Sequence, residues 1–321
     1  MASSPGLSEA SLDSTEPVRS SASAASAPPI GKGLNIGLTK LHEPEDPNSA
    51  IVDIVFVHGL TGNAYSTWLH QDKETKTYWP YDLLPKDYPD ARILAFDYDA
   101  DITQFWGPAS SNRVGNHAEN LLGALSRLRA KTNTDGRKIV FIAHSLGGLV
   151  TECALNLSRS SPQADIRSIE QDTLGIAFLG TPHHGSDYAA WVTFASNMAK
   201  WIKTSNRDIV AVLQPDSEVL ANVGKGFQGL LSRRSDAGDK IAVVCFYEEL
   251  PVKGLGHIVP KHSAILPAYP SYGIRANHMD MTKFTSARNP GYEVVEGEIF
   301  KWIKELRSCN HQAFSSNLQE G

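Results

Sequence analysis

A serine hydroxyl is a weak nucleophile unless it stands on a sharp turn with a base within hydrogen-bond reach. Ser145 lies in the run Ala143-His144-Ser145-Leu146-Gly147-Gly148, which fits the pattern G-x-S-x-G except that alanine holds the first glycine position. Small residues flank such a serine because larger ones collide with the adjoining strand and helix. Ala143 adds one methyl group, so the pattern is weakened without being broken. The chemistry expected of Ser145 is attack on an acyl carbonyl, with a covalent intermediate.

Acyl transfer also needs two N–H donors for the oxyanion of the tetrahedral intermediate. The residue after the nucleophile, Leu146, would give one. The turn Val57-His58-Gly59-Leu60-Thr61-Gly62 would bring the amide of Leu60 towards Ser145 as the second. His58, His144 and His184 are the residues expected to line a substrate pocket. Two adjacent histidines, His183 and His184, raise the question of a metal, but consecutive side chains diverge and no carboxylate or cysteine stands at ligand spacing. Asp97, Asp99 and Asp101 lack the glycine and terminal glutamate of a calcium loop and read as a solvated strand end. No metal and no cofactor are expected.

The elements that must position these residues follow from apolar periodicity. Near-continuous apolar runs at 51–57, 92–96, 139–143, 174–179 and 241–247 are the pattern of strands buried on both faces. Apolar positions at three- and four-residue steps between Val114 and Leu128, from Leu146 to Leu157, and from Val295 to Leu306 predict helices with one buried face. Strands alternating with helices imply a mostly parallel sheet flanked by helices. Ser145 falls where the 139–143 strand meets a helix. The stretch 187–236 is too long for a plain crossover and reads as a helical, cap-like insertion. Its Trp191, Phe194, Met198, Trp201 and Ile202 form an apolar stripe that suits ordinary packing and leaves room for an acyl-chain pocket or a peripheral membrane contact.

Composition narrows the class. With 321 residues, 41% hydrophobic and 20% charged, the chain can bury a large core, and its net charge of −5 argues against a nucleic-acid partner. Cys153, Cys245 and Cys309 have neither zinc nor disulfide spacing; Cys153 and Cys245, in apolar runs, read as small buried hydrophobes. Residues 1–33 are Ser-, Ala- and Pro-rich and read as a disordered tail, 34–308 as the folded domain and 309–321 as a C-terminal tail. With no secretory, transit or membrane-spanning pattern, the expected location is cytoplasmic.

The segments FVHGLTG, WPYDLLPKDYPDARILAFDYDAD, IAHSLGGLV, FLGTPHHGS and ANHMDMTKF resemble the lipase-like α/β-hydrolases related to GPI-inositol-deacylase and serine-active-site-containing proteins. The resemblance runs from about Ile51 to Leu306 and implies the α/β-hydrolase fold and ester hydrolysis, without naming a substrate. In that fold the order is serine, acid, histidine. After Ser145 come His183, His184, His257, His262, His278 and His311. His278 is the preferred base, because its loop precedes the closing helix and resembles the family's histidine loop; His257 and His262 are reserves. The acid belongs at the end of the 241–247 strand, where Glu248 stands, with Glu249 and then Asp216 as alternatives. The expectation is a serine esterase acting on a small-molecule or lipid-like ester. A thioesterase, amidase or lactone hydrolase would use the same triad, and a non-catalytic binding scaffold is the alternative that Ala143 favours.

Overall fold

The β-branched runs assemble into one sheet in the computed structural model, which describes residues 28, 36–60, 62–100, 110–183, 188–204 and 217–317. In chain order the strands are β1 (Gly37–His42), β2 (Val52–Val57), β3 (Leu69–Gln71), β4 (Lys76–Tyr78), β5 (Ala91–Asp97), β6 (Lys138–His144), β7 (Thr173–Leu179), β8 (Ala242–Glu248) and β9 (Ser271–Ile274). The helices longer than one turn among the described residues are α1 (Ser110–Thr132), α2 (Leu146–Ser160), α3 (Ala164–Gln171), α4 (Tyr188–Thr204), α5 (Ser217–Asp236) and α6 (Pro290–Asn317). Seven strands form the main sheet in the order β1-β5-β2-β6-β7-β8-β9, and β3-β4 is a separate hairpin. All pairings in the main sheet are parallel except β1 with β5.

Both faces of the sheet are covered, which explains why its strands read as unbroken apolar runs. Val55 and Val57 of β2 face one core with Leu121 and Leu125 of α1 and Leu149 and Val150 of α2. Ile54 and Phe56 face the other, against Trp68, Trp79 and the α6 residues Val295, Ile299 and Ile303. Burying a side chain of this size stabilises the fold by roughly 1.5–3 kcal/mol, so each strand is fixed from two sides.

Three features depart from the sequence reading. Edge strands β1 and β9 and the β3-β4 hairpin have no counterpart in it. The closing helix runs to Asn317, well past Leu306. The 187–236 insertion divides in two: α5 packs on α2, with Asn156 Nδ2 donating to Val223 O at 2.9 Å, and so belongs to the helical layer. On α4, Phe194 and Met198 are core residues. The side chains of Trp191 and Ile202 lie outside the described residues, as do most of the 1–33 segment, Thr61, Asp101, His184 and Asp216.

Candidate active site

Parallel sheets present their ligand sites at the carboxyl ends of the strands, and Ser145, Glu248 and His278 all follow or close strands at that end. Ser145 joins β6 to α2 with φ 52° and ψ −123°, a conformation that L-residues rarely adopt. The surroundings over-determine it. Ser145 N donates to Leu179 O at 2.9 Å, and a Cβ on Gly147 would lie 2.3 Å from His58 O and 2.5 Å from Val57 O. The second glycine of the motif is therefore a packing requirement. Ala143 is wholly buried between β2 and β7, opposite Val57 and Phe178.

His278 comes from the loop after β9, and its Nε2 is 3.0 Å from Ser145 Oγ. Gly180, after β7, has φ 61°, and a Cβ there would meet the His278 ring at 2.9 Å. Glu248, the last residue of β8, accepts from His278 N at 2.9 Å through Oε2 and from Val259 N at 2.7 Å through Oε1. The ring contact is longer: His278 Nδ1 is 3.8 Å from Glu248 Oε1 and has no hydrogen-bond partner. Glu248 thus grips the histidine's main chain more closely than its imidazole. Burial pushes Glu248 up to about 7, against backbone hydrogen bonds that lower it. Burial, then the neighbouring His144, holds His278 well below the usual histidine range. The imidazole is neutral near pH 7, the form that can accept a proton.

Leu146 is the first residue of α2, so its N–H has no intrahelical acceptor. Leu60 follows Gly59, where a Cβ would lie 2.8 Å from Ser145 Cβ. Leu60 and His144 also line a cavity of about 160 Å³ beside the serine, together with Thr67, Trp201, Met279 and Lys283. Trp201 is the point at which α4 reaches the site.

Several expectations change. His58 does not face a substrate: it is wholly buried, its Nε2 3.0 Å from Asp97 Oδ1 and its ring stacked on Tyr98 at 4.3 Å. Asp97 is correspondingly not solvated; it also accepts from Ala64 N at 3.1 Å, while Asp99 is exposed. Glu249 lies against Gly273 and His257 and His262 are exposed, so none of the three stands with Ser145 and His278. His184 is outside the described residues. His183 pairs with Glu152 of α2 (Nδ1 to Oε1, 2.7 Å) and approaches Cys245 Sγ at 3.6 Å. Burial alone would depress His183, but these two contacts outweigh it and raise it to about 9. The sequence carried a signal for this pair, since Glu152 is a lone acid in the apolar stretch LGGLVTECALNL. Among the described residues no cluster of three His, Cys, Asp or Glu side chains is arranged for a metal, and no helix is long and apolar enough to cross a membrane.

Comparison with known proteins bears on the front half of the site. Residues 52–214, just over half of the chain, match the family described as "Putative serine esterase (DUF676)". That span includes Leu60, Ser145 and Leu146 and stops short of Glu248 and His278. The chain is 30% identical to Protein SERAC1 of Bos taurus over 256 residues, covering 72% of this chain and 36% of that protein. It is 27% identical to Protein SERAC1 of Danio rerio over 270 residues, covering 77% and 38%. The chain thus spans somewhat more than a third of the length of these relatives. Among solved structures, a lipase-esterase related protein from Clostridium acetobutylicum ATCC 824 is 13% identical with a TM-score of 0.41, covering 83% of this chain and 99% of that one.

Proposed function

The chain belongs to the DUF676 serine esterase family, and from that premise we propose that it hydrolyses a carboxylic ester through an acyl-enzyme formed on Ser145. The observation that carries this reading is the 3.0 Å contact between Ser145 Oγ and His278 Nε2. Ser145 Oγ attacks the acyl carbon while its proton passes to His278 Nε2. The N–H groups of Leu60 and Leu146 receive the oxyanion, the alcohol leaves with the proton from His278, and water then releases the acid by the same steps. Glu248 stabilises the imidazolium once its carboxylate closes the 3.8 Å gap to Nδ1, a tightening common when substrate binds. The cavity lining mixes apolar Leu60, Trp201 and Met279 with polar Thr67 and Lys283, which suits a small or lipid-like ester.

Turnover of short acyl esters by Ser145→Ala and His278→Ala tests the assignment. Each substitution is expected to lower kcat by about 10⁴-fold or more, as for residues that act as a unit. A fluorophosphonate should label Ser145 in the folded wild type. Undiminished hydrolysis by either variant overturns the assignment, and a folded protein that neither labels nor hydrolyses is a binding scaffold instead.

A further inference from the structure

His144 precedes Ser145 in sequence and touches both the His278 loop and the Gly59 turn. It is 5% exposed, and its Nε2 is 3.1 Å from the main-chain oxygen of His278. Its ring lies 4.9 Å from the ring of His278 and 6.4 Å from that of Trp68, centroid to centroid. On the opposite side, Nδ1 lies 3.1 Å from the position a Cβ on Gly59 would take, so the ring fills the space that the missing side chain leaves against the oxyanion turn. We infer that His144 is a positioning residue, whose imidazole ties the His278 loop and the Gly59–Leu60 turn to Ser145. The inference rests on the ester-hydrolase reading, which gives those segments their roles.

The hydrogen-bond chemistry fixes the tautomer. A carbonyl oxygen only accepts, so Nε2 carries a proton and donates it to His278 O; Nδ1 has no hydrogen-bond partner and, in the neutral ring, carries the lone pair. The titratable groups around the ring come from three segments: His278 on its loop, Lys283 a turn later, and His58 just after β2. Burial first, then the electrostatic influence of Lys283 and His58, lowers His144 to about 4, although its bond to the His278 carbonyl favours the charged form. Neutrality matters for catalysis. A cation on His144 would oppose the imidazolium that His278 must become when it takes the proton of Ser145.

The 321-residue chain labelled with ¹⁵N-histidine gives the direct test by NMR, with His144→Gln used to assign the resonance. His144 should stay in the Nε2–H tautomer, without titrating, between about pH 5.5 and 8. A proton on Nδ1, or titration near the ordinary histidine range, overturns the inference whatever the activity. Kinetics supply the second arm, with melting temperatures recorded alongside. His144→Phe keeps a ring and removes the donor, and should lower kcat by about tenfold with KM within about twofold. His144→Gln, which can offer a carboxamide N–H to the same carbonyl, should recover kcat to within about threefold of wild type. An unchanged kcat in His144→Phe, or a loss confined to KM, also overturns it. Wild type that fails to hydrolyse esters and fails to label at Ser145 would instead overturn the esterase reading, leaving the tautomer measurement to decide the structural tie.

Discussion

At the amino-terminal ends of β2 and β5, Asp53 takes Nε and Nη2 of Arg92 at 2.9 and 2.7 Å, while Arg92 also donates to Thr132 and Thr134. Arg129 pairs with Asp172, and Arg137 reaches Asp53 at 3.4 Å. Of the buried side-chain atoms in this network only Arg129 Nε lacks a hydrogen-bond partner. At the opposite end of the same sheet, Thr181 Oγ1, Glu152 Oε2, His144 Nδ1 and His278 Nδ1 are buried with no hydrogen bond. A buried polar group left unpaired costs about 1–3 kcal/mol. One end saturates its charges and fixes the register of β2 on β5. The other leaves polar atoms unpaired around a strained serine, as expected where function competes with stability.

The contrast can be broken first at the saturated end. Asp53→Ala leaves the guanidinium of Arg92 buried without its carboxylate and should lower stability by about 3–5 kcal/mol in urea unfolding. Protein that remains folded should still label at Ser145, because the sites lie at opposite strand ends. A loss under about 1 kcal/mol would show that the network is no more than a surface-like set of pairs.

At the end that carries Ser145, His183, held by Cys245 and Glu152, gives a pH signature. His183 is raised from 6.5 to about 9 in the fold. Its stabilisation is therefore fully present below about pH 6.5 and lost as the pH rises through about 9, on the order of 3 kcal/mol in all. Stability measured across that window should fall in wild type and stay flatter in Glu152→Gln. Equal slopes would dissociate the pair from the fold's pH dependence.

Glu248 sharpens the catalytic side. With its carboxyl raised to about 7, the ionised form needed beside His278 is gained only as pH rises through that value. For short esters kcat/KM should fall by about tenfold per pH unit below it. Glu248→Gln should abolish this limb along with most activity; an unchanged limb would place the titrating group elsewhere.

The smallest effect concerns backbone strain. Ser145→Gly releases an L-residue from φ 52° and should stabilise the fold by about 1 kcal/mol while removing hydrolysis. A lower melting temperature would mean that the serine's contacts outweigh its strain.

Much of the fold and site is legible in the sequence because its signals are local. The five central strands are apolar on both faces, so their positions emerge within a residue or two. The elbow is a strand, a serine and a glycine in succession. Glu248 and His278 follow from strand-end position and chain order together with the family resemblance of their segments, and they stand together in the fold. β1 and β9 are not legible for the converse reason. As edge strands of six and four residues, they are only partly buried and carry residues such as Lys40 and Gly273, without a clear alternation. The hairpin strands β3 and β4, of three residues each, are too short to show one.

The other differences depend on neighbours distant in sequence. His58 reads as a pocket residue from its place after β2, but Asp97 and Tyr98 at the end of β5 enclose it. His183 reads only as one of two adjacent histidines that bind no metal until α2 brings Glu152 within 2.7 Å. His144 reads only as a pocket-lining residue until the His278 carbonyl, 134 residues further on, comes within 3.1 Å of it. By itself the sequence determined the alternating architecture, the Ser145 turn between strand and helix, and the order in which Glu248 and His278 follow it, because periodicity and a tight turn are properties of contiguous residues. The tertiary structure decided which polar groups are paired, which stay neutral and which line the cavity. Those properties depend on desolvation and distance between segments that meet only when the sheet is closed on both faces.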